Sequence, residues 1–201
     1  MNARQRQIEL ERLQRSMKRC KKCREADYYI ERPAIFSGRA NGRIMLIGQA
    51  PGVTEVKALR PFNATAGKRL FEWLAEAGIE EAEFRANHYM TSVTKCYPGK
   101  AKNGGGDRVP SREERALCRS FLDRELELVQ PELIIPVGRL AINIFYDSKI
   151  PLVQIIGTQS EAVGATVIPL PHPSGASIWH RLEPNRILIK RALRHIATLR
   201  N

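Results

Sequence analysis

The sequence predicts an α/β fold built on a largely parallel central sheet. Two observations predict it. Short apolar runs, Arg43–Ile47, Leu133–Val137 and Thr166–Leu170, have the length and composition of buried strands, and a further strand covers 88–94. Stretches with helical apolar spacing separate them, and strands that alternate with helices pair in parallel.

The elements follow in order. Ile8, Leu10, Leu13 and Met17 share one helical face, so residues 3–18 read as an amphipathic helix. A basic, cysteine-bearing stretch follows from Lys18 to Arg24. The first strand, Arg43–Ile47, ends at Gly48. Residues 66–77 form a helix with Leu70, Leu74 and Ala77 on one face. The loop 97–110 carries Gly99, the glycines 104–106 and two prolines, and is expected to be mobile. Ser111 with Glu114 is a capping-box pattern that opens a helix to about Val129, with Leu117, Phe121 and Leu122 inward. Arg139–Tyr146 reads as a helix between the last two strands. Pro184 suits the first turn of a final helix that runs to about Leu199.

The chain of 201 residues is expected to form a single domain over 1–201, with residues 1–24 as an N-terminal helix and cysteine segment. At 43% hydrophobic residues it has the means to build a core. Lys and Arg number 33 against 21 Asp and Glu, a net charge of +12. That excess suits a polyanionic partner such as nucleic acid or an anionic surface, and equally a solvated basic exterior. No apolar run approaches the roughly 18 residues that span a bilayer. The opening MNARQRQIELERLQ lacks the pattern of a secretory signal. A cytoplasmic monomer with reduced thiols is expected.

In open parallel sheets, ligands bind beyond the carboxyl ends of the strands. Three distinctive segments fall at such ends: Gly48–Gly52, Thr91–Cys96 and Pro171–Ser174. Their convergence points to one site. The only cysteines are Cys20, Cys23, Cys96 and Cys118. Cys20-x2-Cys23 offers two thiolates from one turn, and four cysteines without a remainder suit a four-thiolate metal site. Spacing alone does not choose between zinc and an iron–sulfur cluster, and buried structural thiols remain an alternative.

Gly48-Gln-Ala-Pro-Gly52, followed by Glu55 and Arg60-Pro61-Phe62, resembles the first motif of uracil-DNA glycosylases, especially family 4, the iron–sulfur type. Gly67 and the helix after it continue the match. His172-Pro-Ser174 looks like the superfamily's second motif, and Cys96 and Cys118 fall where the family has its last two cluster ligands. The resemblance covers about 20–199. It implies a three-layer α/β/α fold, a 4Fe-4S cluster on the four cysteines, and excision of uracil from DNA in base excision repair. The chain departs from the family at Gln49, where Glu is usual, and at Ser92, where Asn reads the uracil edge. It has Ser174 where family 4 has Ala, and a longer interval from Cys96 to Cys118. A glycosylase for another damaged base, and a non-catalytic protein that retains damaged or abasic sites, stay open beside uracil excision.

The chemistry then assigns roles. His172 is the candidate donor to the departing base. Phe62 would stack on the flipped base, and backbone near Gln49 and Ala50, with Ser92, would read its edge. The motif holds Ala50 where the most familiar branch has Asp, so Gln49 is left to orient water, and Glu55 is the nearest acid. Ser174, Gly175 and Ser177, with Ala176 between them, let backbone approach phosphate. Ser111 opens a helix whose amides suit a phosphate. Lys95, Lys100, Lys102, Arg108 and Arg112 form a basic cluster beside it. Ile178 and Trp179 are candidates to fill the gap left by a flipped base, and Trp179 equally suits the core.

Overall fold

The computed structural model describes residues 1–102, 104, 106–175 and 177–200. Gly105 and Ala176, named above, lie outside the described residues. Five strands form one sheet: β1 (Ile44–Gly48), β2 (Tyr89–Ser92), β3 (Leu133–Pro136), β4 (Ser160–Ala162) and β5 (Ala165–Val167), in the order β2-β1-β3-β5-β4. The first four in that order run parallel, and β4 pairs antiparallel at the edge. The helices are α1 (Ala3–Arg19), α2 (Lys22–Glu25), α3 (Val53–Ala58), α4 (Thr65–Glu76), α5 (Glu81–Asn87), α6 (Arg112–Val129), α7 (Arg139–Ile142), α8 (Leu152–Ile155) and α9 (Asn185–Leu199).

The layers follow from the two-residue period of a strand. Ile44, Leu46, Met90, Leu133 and Ile135 bury one face of the sheet against α4, α5 and α9, through Leu70, Leu74, Phe84, Ile189 and Ile196. Met45, Ile47, Tyr89, Ile134 and Val167 bury the other face against Leu10 of α1 and Leu122 and Leu126 of α6. Both faces are covered, which gives the expected α/β/α sandwich. Capping boxes open α1 (Asn2 with Gln5) and α6 (Ser111 with Glu114), and each satisfies helix amides that lack an internal partner.

Several details differ from the sequence reading. The strand at 88–94 stops at Ser92, because Val93 and Thr94 donate instead to the carbonyls of Gly48 and Gln49. The β4–β5 hairpin escaped notice because its turn places Val163 at φ 49° before Gly164 at φ 79°. A β-branched residue rarely takes that conformation, so the sequence carries no turn signal there. The helix at 139–146 is only Arg139–Ile142, after which the chain continues in turns, and Ile8 faces solvent. In the described part of 97–110, Lys100 pairs with Asp107 in antiparallel sense, and Ala101 and Arg108 donate to the carbonyls of Gly106 and Gly99. The Arg108 side chain donates to Glu114, to the Pro98 carbonyl and to the Tyr29 carbonyl.

Candidate functional site

The carboxyl ends of β1, β2 and β3 and the segment after β5 close around one pocket. It holds about 550 Å³, including its open mouth. All three segments singled out in the sequence reach it: Gln49 and Ala50 after β1, Ser92 at the end of β2, and His172 beyond β5. Phe62 and Glu55 complete the predicted set within the same lining. A sheet of order β2-β1-β3 changes winding direction at β1, so a crevice opens there beyond the strand ends.

Each side chain is held by its neighbours. The Phe62 ring packs over Gly48, whose missing side chain leaves it room, while its inner edge meets the main core. The Ser92 hydroxyl donates to the Thr94 carbonyl at 2.7 Å, so toward the pocket its oxygen can only accept. Glu55 is buried and fully engaged. One carboxylate oxygen accepts from the Gly52 amide at 3.0 Å, the other from the amides of Asn63 and Ala64 at 3.1 and 3.2 Å. It therefore clamps the Gly48–Gly52 loop to the Phe62 loop.

His172 has the most defined state. Its Nδ1 accepts from the Ser174 amide at 3.2 Å, which leaves the proton of a neutral ring on Nε2. Burial first, then the nearby charge of His180, pulls its pKa below the ordinary histidine value. Two supports went unread in the sequence. Arg69 of α4 donates to the Pro173 carbonyl at 2.8 Å and anchors the loop, but nothing marks one cation among many on a helix. Gly138, at φ 82°, approaches the ring so closely that a Cβ would stand 3.0 Å from His172 Cδ2. A glycine two residues beyond β3, before a short helix, was the signal for it.

The expected phosphate contacts divide. Ser174, Gly175 and Ser177 lie on the loop after His172, where the Ser177 amide donates to the Ser174 carbonyl. Ile178 beyond them is 63% exposed, whereas Trp179 packs partly against the core. Ser111 is occupied as the cap of α6, and Glu113 and Glu114 already place negative charge in that helix's first turn. The basic cluster at 95–112 is smaller than expected. Lys100, Lys102 and Arg112 are exposed, but Arg108 is bound to Glu114, and Lys95 is buried in an ion pair with Glu125.

The four cysteines line a second cavity of about 440 Å³, part of it open, on the other side of Lys95. Cys20 ends α1, Cys23 lies in α2, Cys96 follows β2 and Cys118 lies in α6. All four are free thiols. Burial first, then the charges of the other cysteines, pushes Cys23 up to about 11 and Cys96 up to about 12. Ionised, Cys23 and Cys96 would each meet the charge of neighbouring cysteines, and a bound metal would offset that cost. Met17, Leu117 and Phe121 supply apolar wall, and Lys21, Lys22 and Arg32 supply positive charge. Among the described residues, no three His, Cys, Asp or Glu side chains gather closely enough to hold a single ion. The thiols stand around a space.

Comparison with known proteins gives the chain a family. Residues 36–195 match the family model of the uracil DNA glycosylase superfamily. The chain is 34% identical over 160 residues to a type-4 uracil-DNA glycosylase of Thermotoga maritima, covering 78% of each chain. It is 29% identical over 157 residues to a type-4 uracil-DNA glycosylase of Pyrobaculum aerophilum, covering 78% of this chain and 71% of the relative. A type-5 uracil-DNA glycosylase of the same organism is 30% identical over 125 residues, 56% of this chain and 52% of that one.

Proposed function

The chain belongs to the uracil-DNA glycosylase superfamily, and from that premise we propose that it excises uracil from DNA by hydrolysing the N-glycosidic bond, in base excision repair. The observation that carries the reading is the single pocket that joins Gln49, Phe62, Ser92 and His172 at the strand ends. A base extruded from the stack enters it and lies against Phe62. Ser92, able only to accept toward the pocket, meets the N–H of the uracil edge, and backbone at Gln49 and Ala50 meets its carbonyls. As the bond from C1′ to N1 breaks, its electron pair leaves with the base. His172 Nε2–H donates to the oxygen where that charge collects. Water then adds to C1′, oriented in part by Gln49, and Glu55 acts by fixing the loop that carries Gln49. Ser174, Gly175 and Ser177 approach phosphate, and exposed Ile178 fills the space vacated in the stack.

The reading takes residues 1–201 as one domain that works as a monomer in the cytoplasm. No helix among the described residues is long and apolar enough to cross a membrane. Incubation of the pure protein with DNA carrying one uracil, hypoxanthine or xanthine tests it. Uracil should be released fastest, with binding that weakens steeply as salt rises. Hypoxanthine and xanthine offer the acceptor-only Ser92 an N–H just as uracil does, which supports a second reading in which one of them is the better substrate. Faster release of hypoxanthine or xanthine would establish that instead. Retained binding to abasic DNA with no excision of any base would overturn catalysis.

The cysteine cavity is read as the seat of one 4Fe-4S cluster held by Cys20, Cys23, Cys96 and Cys118. Thiols spaced around a volume suit a multi-atom cluster better than one zinc ion, and the cationic rim offsets the negative charge of a tetrathiolate cluster. When bound, the cluster would tie α1 and α2 to β2 and α6, which is stability and not bond chemistry. Aerobically purified protein should be brown and contain iron with acid-labile sulfide. Stoichiometric zinc without sulfide would overturn the assignment.

A further inference from the structure

The Gly48–Gly52 motif carries no free carboxylate: Ala50 cannot hold a water, and both oxygens of Glu55 are spent on backbone amides. The antiparallel pairing of Lys100 with Asp107, in the longer interval between Cys96 and Cys118, brings another beside Gly52. Its Asp107 Oδ1 accepts from the Tyr97 hydroxyl at 2.9 Å, which fixes the carboxylate plane. Its Oδ2 lies so close to Gly52 that a Cβ there would stand 2.7 Å away, so only glycine admits the approach. Asp107 is exposed to solvent, while Pro51 and Glu55, on either side of Gly52, line the base pocket. The carboxylate therefore lies against the turn that carries Pro51 and Glu55 to the pocket.

The geometry points to Asp107 as a catalytic residue that receives and orients the attacking water, a role that rests on the proposed excision of uracil. The step balances as hydrolysis. The bond between C1′ and N1 breaks with its electron pair on the base. The water oxygen bonds C1′, and the water proton passes to Asp107 Oδ2 and then to solvent, while the departing base takes up a proton. A negative carboxylate beside the sugar also stabilises the positive charge that C1′ gains before water arrives. Lys100 and Lys102 in the same segment are exposed to meet the phosphate backbone, so DNA binding and water delivery would share one segment.

Single-turnover excision by Asp107→Asn and Asp107→Ala tests this, with binding to abasic DNA and thermal melting measured on the same preparations. Asp107→Asn should slow excision on the order of a hundredfold, the low end for a positioned carboxylate. Binding and melting temperature should stay as in the wild type. Added formate should restore part of the rate to Asp107→Ala, which a purely structural latch would not allow. An unchanged rate in Asp107→Asn overturns the assignment, as does a slow variant that has also lost binding or stability and is not rescued. A wild-type protein that releases no base overturns the functional reading itself, and this role with it.

Discussion

Replacing His172 with Ala should slow the excision of uracil by a hundredfold or more in single turnover, while DNA binding is retained. The size follows from what is removed. The Nε2–H is a donor held toward the pocket, and loss of one such donor costs on the order of 3–4 kcal/mol in other enzymes. Binding survives because the proposed phosphate contacts lie on Ser174, Gly175 and Ser177 and on the exposed Lys100 and Lys102. The pH profile gives an independent check. Burial and the neighbouring His180 hold the His172 pKa below the ordinary value, and burial, then Arg69 and Arg181, in turn depress His180. The neutral ring therefore persists as pH falls through about 6.5, the usual histidine midpoint. The rate should decline only below it, when Nδ1 gains a proton and loses the Ser174 amide. Wild-type excision that His172→Ala leaves untouched would assign the donor to another residue.

The middle of the sheet was legible because β1 and β3 are apolar on both faces and end at Gly48 and Pro136, and parallel order follows from alternation with helices. Each of the three chosen strand ends reaches the pocket, so topology brings those segments together. Roles that depend on a partner distant in sequence were not legible. Glu55 looked like a spare acid until three backbone amides met it. Arg108 looked like a phosphate ligand until Glu114 claimed it. Asp107 sat in a glycine-rich stretch that read as mobile, and nothing local shows that its carboxylate reaches Gly52. Lys95 is the plainest case. It lies beside a cysteine in a basic chain, and its partner is thirty residues on, near the end of α6.

That pair supports the last prediction. Lys95 and Glu125 have side chains 2% and 0% exposed, in direct contact. Lys95 Nζ also donates to Thr91 Oγ1 at 2.8 Å and to the Ser92 carbonyl at 2.6 Å. Glu125 accepts from the hydroxyls of Tyr89 and Thr91, each at 3.0 Å. Burial, then the charge of Glu125, raises the Tyr89 pKa well above normal, so that phenol stays a donor. Lys95→Met would strand a carboxylate in the core, and breaking one side of a buried pair costs about 3–5 kcal/mol. Tyr89→Phe removes a single hydrogen bond to a charged group and should cost about 1.5–3 kcal/mol. Removing both charges with Lys95→Met and Glu125→Leu should recover only part of the loss, because the hydroxyls of Tyr89 and Thr91 and the Ser92 carbonyl then lack partners. Function should follow, since Lys95 holds the backbone of Ser92 at the pocket wall and stands between that wall and the cysteine cavity. Urea midpoints of the proteins as purified, compared at matched slope, check the order. A Lys95→Met protein as stable as wild type would mean that Glu125 finds water or another partner, and that the pair does not hold the pocket wall in place.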